Sequence, residues 1–144
     1  MGGCQIRKGA HTRYELKYHI AWVTKYRYRI LRGKLAVRLR GLVRLICREN
    51  DVEILSGRVT PDHVHVLVSA PPSLAPAKLV QYIKGVSSRK LQQEFPELKK
   101  RYWGRHLWGR GYFVASSGAI TDESIREYFE HHDEEEEEDF KITR

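Results

Sequence analysis

Residues 60–72, TPDHVHVLVSAPP, set two histidines one residue apart in a run that otherwise reads as a β-strand. Side chains alternate along a strand, so His63 and His65 share one face while Val64, Val66 and Val68 take the other. Two imidazoles about 7 Å apart on one face can close on a single cation. Near the end of the chain, IREYFEHHDE puts Tyr128 and His132 at i and i+4, neighbours on one side of a helix. A helix that delivers a phenol and an imidazole to the histidine pair makes a metal site with a nucleophile beside it. Each motif alone has a plainer reading. His63 and His65 are equally compatible with hydrogen-bonded structural residues. Tyr128 and Phe129 fit core aromatics, with His131 and His132 a solvated patch.

These residues need a scaffold, and the hydrophobic pattern supplies one. Residues 14–23, YELKYHIAWV, alternate, with Tyr14, Leu16, Tyr18, Ile20 and Trp22 on one face of a strand. From residue 34 to 49, Leu35, Leu39, Leu42, Val43 and Ile46 recur at helical spacing, and Arg38, Arg40, Arg44 and Arg48 lie largely elsewhere on the cylinder. Residues 52–59 read as a second strand. Thr60-Pro61-Asp62 is a turn too short for anything but an antiparallel hairpin into the third strand, 63–70. Pro71 and Pro72 end it, Ser73 is a candidate N-cap, and Pro76 fits a first helical turn. Leu79, Tyr82, Ile83, Val86 and Leu91 give a second helix ending near Phe95-Pro96. Residues 97–110 then read as a basic, aromatic, glycine-punctuated loop. A fourth strand, 111–116, and a last helix capped by Thr121 complete the chain. The order β-α-β-β-α-β plus a terminal helix predicts an α+β, ferredoxin-like split βαβ fold: an antiparallel sheet with helices on one face.

Charge narrows the partners. The 144-residue chain carries 26 Lys and Arg against 18 Asp and Glu, a net of +8. Seven of the acids sit in one block, DEEEEED at 133–139, which leaves 24 basic and 11 acidic side chains in residues 1–132, a net of +13. A small body that basic suits a polyanion, nucleic acid above all. The acidic block reads as a solvated helix end or tail. No apolar run approaches the ~18 residues that span a bilayer, and the N-terminus lacks a signal-peptide core. Cys4 and Cys47 form no pairing motif. Together these features place the chain in the cytoplasm with no membrane partner.

Several ordered blocks resemble one known family. They are YELKYHIAWVTKYRYRIL, DHVHVLVS, LVQYIKGVSSRKL, LWGRGYFVASSG and ITDESIREYFEHH. In this order they are similar to the insertion-sequence transposases of the IS-two-hundred-like family, prokaryotic single-strand HUH enzymes that use one tyrosine. The match runs from Tyr14 to about His132. It implies an N-terminal tail at 1–12, a transposase domain at 13–132 carrying its tyrosine on the last helix, and an acidic extension at 133–144.

The resemblance implies roles as well. His63 and His65 match the metal-ligand histidines, Tyr128 the nucleophile, and His132 the third ligand, where many members have glutamine. The cofactor is then a divalent cation, Mg²⁺ or Mn²⁺, with imidazole in place of glutamine favouring the softer ion. The implied reaction cleaves and rejoins single-stranded DNA at element ends through a 5′-phosphotyrosine, without ATP. Consistent with this, no G-x-x-x-x-G-K-[ST] loop is present.

The implied partners are imperfect DNA hairpins at element ends and a second copy of the chain, a homodimer that exchanges tyrosine helices. Such exchange is compatible with the SSGA stretch and a hinge at Gly118. Candidate phosphate contacts are Lys25, Arg27, Arg29, Lys84, Arg89 and Lys90, with Lys99, Lys100, Arg101 and Arg105 in the loop. Tyr102, Trp103 and Trp108 are candidates to stack on bases, Trp108 equally to pack beneath the sheet. Two alternatives stand beside this reading. One is a domesticated relative that binds hairpin DNA without moving an element. The other is an RNA-binding module, which gives no role to His63, His65, Tyr128 and His132 together.

Overall fold

The computed structural model describes residues 6–8, 13–14, 16–102, 106–116 and 127. Among these residues, six strands and three α-helices run in the order β1 (Arg7–Lys8), β2 (Arg13–Tyr14), β3 (Lys17–Val23), α1 (Gly33–Glu49), β4 (Glu53–Thr60), β5 (His63–Ser69), α2 (Pro76–Glu94), α3 (Pro96–Tyr102) and β6 (Phe113–Ser116). β4, β5, β3 and β6, in that spatial order, form one antiparallel sheet. The first long strand therefore lies between the third and the fourth, which is the split βαβ arrangement expected of the pattern.

The alternation read from the sequence sets the layers. Ile20 and Trp22 of β3 and Val64, Val66 and Val68 of β5 point into one core with Leu35, Leu39, Leu42 and Ile46 of α1 and Leu79, Ile83 and Leu91 of α2. Ile20, Trp22, Leu39 and Ile83 are wholly buried, and each such side chain contributes about 1.5–3 kcal/mol from removal of apolar surface from water. Cys47 joins this core, where burial pushes its thiol up to about 11 and leaves it unreactive.

The boundaries differ from expectation in three places. The opening strand begins at Lys17, because Arg13 and Tyr14 pair instead with Arg7 and Lys8 in a separate two-stranded ribbon. Arg7 pins that ribbon to the body, its Nη1 donating to the Ser69 carbonyl at 2.7 Å and its Nη2 to the Asp51 carbonyl at 2.8 Å. Ser73 does not cap α2; Ala75 holds the cap position without a side-chain bond, and Pro76 opens the helix. Residues 96–102 are helical where a loop was expected. Glu97 in the first turn and Lys99, Lys100 and Arg101 in the last complement the helix dipole, and Leu98 and Tyr102 are buried.

α1 starts from Gly33, whose φ of +55° is a left-handed entry that suits glycine. At its other end Asn50 donates from Nδ2 to the Ile46 carbonyl at 2.8 Å. No helix among the described residues is long and apolar enough to cross a membrane.

Candidate functional site

Pairing decides what surrounds the two histidines. His63 lies opposite Val23 of β3 and Thr60 of β4, and His65 opposite Ala21 and Arg58. Both rings are half-buried on the sheet face away from the helices, as the alternation predicts. A third imidazole lies beside that of His65. His19 of β3 sits two pairs along from His65, opposite Leu67 and Ala115, and its Nδ1 lies 3.2 Å from His65 Nε2. The two ring centroids are 5.3 Å apart and the planes tilt by 30°. Burial lowers the His19 pKa. Burial, followed by the nearby His19 and His65's neighbour His63, lowers that of His65. Neutral rings keep a lone pair free for a cation or a proton.

His63 is held from behind. Its Nδ1 is 2.9 Å from Asp62 Oδ1 and 2.6 Å from Thr60 Oγ1. A carboxylate only accepts, so Nδ1 carries the proton that Asp62 accepts. Asp62 is fixed in turn by Arg27, which donates from Nε and Nη2 to Oδ2 at 3.1 and 2.9 Å. Burial alone raises the Asp62 pKa, but the His63 hydrogen bond and the Arg27 charge outweigh it and hold the carboxyl below its usual range. The outcome is a carboxylate–histidine arrangement of the type that orients metal-binding imidazoles.

The segment between β3 and α1 builds this support. Thr24 is wholly buried; its N–H donates to the Asp62 carbonyl at 3.0 Å and its Oγ1 to the Tyr28 carbonyl at 2.7 Å. Leu31 N–H reaches the Pro61 carbonyl at 2.9 Å. Tyr26 and Arg27 take positive φ of 60° and 55°, which costs about 1–3 kcal/mol each for residues with a Cβ. That strain aims the Arg27 guanidinium at Asp62. The sequence showed Asp62 only as a turn former, Arg27 only as a phosphate contact and gave His19 no role. His19 was detectable in principle, being out of phase with Tyr18, Ile20 and Trp22, but its neighbour was not.

Other expected site residues divide clearly. Tyr128, His131 and His132 lie outside the described residues, as do Trp103, Arg105 and the acidic block; Glu127, beside Tyr128, is helical and exposed. Among the described residues, no three or more His, Cys, Asp or Glu side chains form a group that could hold a metal ion. A cation at His63 and His65 would thus draw a further donor from the last segment. The donor set fits a divalent cation: two imidazoles on one face, one with its tautomer fixed by a carboxylate.

Trp108 is corrected from base-stacking candidate to core residue. It is 5% exposed, edge-on to Trp22 with centroids 6.0 Å apart, and its Nε1 donates to Ser87 Oγ at 2.9 Å. Tyr102 is also buried, against Tyr28. Lys84 is corrected as well: its ammonium donates to the Gly109 carbonyl at 2.9 Å and to that of Gly111, tying α2 to the approach to β6. Burial pulls its pKa down to about 8. Arg27 is engaged with Asp62, and Arg101 lies 4.8 Å over the Tyr28 ring. Lys25 sits 5.4 Å from the Tyr26 ring centre and is half-buried, as is Lys90, while Arg29, Arg89, Lys99 and Lys100 are exposed. Arg40, Arg44 and Arg48 form a further exposed row along α1.

Comparison with known proteins converges on one family. The profile described as "Transposase IS200 like" matches residues 12–132. The chain is 37% identical over 132 residues to the ISDra2 transposase TnpA of Deinococcus radiodurans, covering 91% of this chain and 94% of that protein. It is 36% identical over 126 residues to the transposase for insertion sequence element IS200 of Salmonella typhimurium, covering 88% and 82%. A crystal structure assigned as a transposase from Deinococcus radiodurans superposes with a TM-score of 0.80 at 36% identity, over 88% of this chain and 97% of the other. A REP-associated tyrosine transposase bound to a REP hairpin shares the fold at a TM-score of 0.52 and 17% identity, over 84% and 68%. With a family profile spanning residues 12–132 and relatives above one-third identity over most of both chains, the chain belongs to the IS200-like transposases.

Proposed function

We propose that this transposase cleaves and rejoins single-stranded DNA at the ends of its element through a covalent 5′-phosphotyrosine on Tyr128. The observation that carries the reading is the Arg27–Asp62–His63 chain, with His65 on the same face. It prepares two imidazoles to hold a divalent cation, with His132 as the further donor. Such a cation, when bound, neutralises charge on the scissile phosphate.

The chain's own residues do the rest. Tyr128 Oη attacks phosphorus as the P–O3′ bond breaks; the phenolic proton is lost and the departing 3′ oxygen gains one. The phosphotyrosine retains the bond's free energy, so another 3′-hydroxyl reverses the step at a new junction without ATP. Exposed Arg29, Arg89, Lys99 and Lys100, with the arginine row on α1, supply sequence-independent grip on phosphates. The hairpin held by the more distant REP-associated transposase supports hairpin DNA as the form bound. A homodimer joined at the sheet, each chain lending its tyrosine helix to the other, is part of the same proposal.

The test uses the full chain, end-labelled single-stranded DNA from the element's flanks, and Mn²⁺. Expected are a denaturation-resistant protein–DNA adduct and a free 3′-hydroxyl fragment, both absent with chelator and with fully duplex DNA. Cleavage that survives complete chelation refutes the metal assignment. Hairpin binding with no adduct under any condition favours a domesticated DNA-binding protein instead.

Asp62→Asn examines the support behind His63. Asparagine fills the same volume but presents an amide of mixed polarity to Nδ1 and loses the charge facing Arg27. Mn²⁺ affinity should fall by roughly 10–100-fold, measured by titration calorimetry, with the circular dichroism spectrum unchanged. An affinity within twofold of wild type removes Asp62 from the site.

A further inference from the structure

We propose that His19 is itself a metal-ligating residue, its Nδ1 and His65 Nε2 gripping one divalent cation as a pair across adjacent strands. This rests on the metal reading above and adds a donor that none of the motif residues supplies.

Geometry is the basis. Two nitrogens bound to one cation at about 2.0–2.1 Å with bond angles between 90° and 110° lie about 2.9–3.4 Å apart. His19 Nδ1 and His65 Nε2 are separated by 3.2 Å, inside that interval. They approach across two directly hydrogen-bonded strands, so neither ring depends on a flexible loop for its position. Ala21, the residue paired opposite His65 and two along from His19, is wholly buried and has only a methyl group to place beside the two rings. A bulkier residue there would crowd the ground between them.

Without a cation, the 3.2 Å contact is a hydrogen bond in which one ring donates and the other accepts. Loading a cation onto both facing nitrogens requires the donor ring to move its proton to its other nitrogen. No proton need leave the pair; one tautomer changes and one N–H···N bond is exchanged for two nitrogen–metal bonds.

Histidine tautomers and nitrogen–metal bonds are read directly from ¹⁵N shifts, so the test needs no activity assay. Full chain labelled with ¹⁵N-histidine is titrated with Zn²⁺ alone, and the ring nitrogens are followed by long-range ¹H–¹⁵N correlation. His19 Nδ1 and His65 Nε2 should move together to bound positions by one equivalent. His19→Ala and His19→Gln should each weaken Zn²⁺ by at least roughly tenfold, whereas His106→Ala, on an exposed residue, should not. Movement of His63 and His65 with His19 silent overturns the role of His19 and leaves the metal reading standing. Silence of all three overturns both. The wild-type spectra decide even if a His19 variant fails to fold.

Discussion

Tyr128→Phe will abolish the covalent protein–DNA adduct while hairpin binding stays within about twofold. The substitution removes one oxygen and keeps the ring. Phenylalanine has no atom able to attack phosphorus, and loss of a nucleophile removes the route itself. The expected fall is at least ~10³-fold, to the limit of detection. On this reading binding draws chiefly on the basic side chains, whose contribution is electrostatic and independent of the phenol. Adduct formation is read on denaturing gels and binding by gel shift of the same labelled hairpin. An adduct that persists with phenylalanine at 128 means another residue is the nucleophile, and the motif assignment fails.

The second large effect concerns the paired imidazoles. His63→Ala and His65→Ala should each lower cleavage by about 10²–10⁴-fold, the size expected when several kcal/mol of charge stabilisation is withdrawn. Mn²⁺ affinity should fall alongside. With both rings serving one cation, as proposed, the double variant should be little worse than either single one, well short of the product of their effects. Neither change threatens the fold. Asp62 keeps Arg27 when His63 is cut back, and the valines between the histidines, which face the core, are untouched. Single-turnover cleavage and metal titration on the same preparations give both numbers. If cleavage drops and metal affinity does not, the rings act on DNA directly and the cation lies elsewhere.

The proposed reaction draws its participants from two separate parts of the chain, the β5 histidine pair and the last segment, and the fold shows why this scaffold suits it. A four-stranded sheet with one face buried under α1 and α2 is rigid, and its opposite face is free to carry polar side chains. β3 and β5 are its two central strands, paired on both sides, so side chains placed there hold their spacing. The strained Tyr26–Arg27 turn then reaches from the end of β3 to the β4–β5 turn and locks Asp62 beneath His63.

Much of this was legible before any coordinates. Alternation of Val64, Val66 and Val68 against His63 and His65 reports a period of two, and the leucine spacing of residues 35–46 a period of 3.6. Both are local properties that a single strand or helix expresses on its own. The same local rule went astray at Tyr14, which alternates in phase with Tyr18 yet pairs with Arg7, since phase says nothing about partner. It also missed the helix at 96–102, whose seven residues bury only Leu98 and Tyr102 and give too short a pattern to detect.

Residue type likewise could not say where a long side chain ends. Lys84 looks like a phosphate contact and is a tether for two carbonyls; Trp108 looks free in a glycine-rich loop and is held in the core by Ser87. By itself, then, the sequence determined which faces are apolar, which strand holds the histidine pair and which family the ordered motifs resemble. Only the tertiary structure decided that His19 meets His65 and that Arg27 secures Asp62. Those partners stand 46 and 35 residues apart along the chain, and strand pairing and loop closure, which join distant segments, leave no periodic mark on either one.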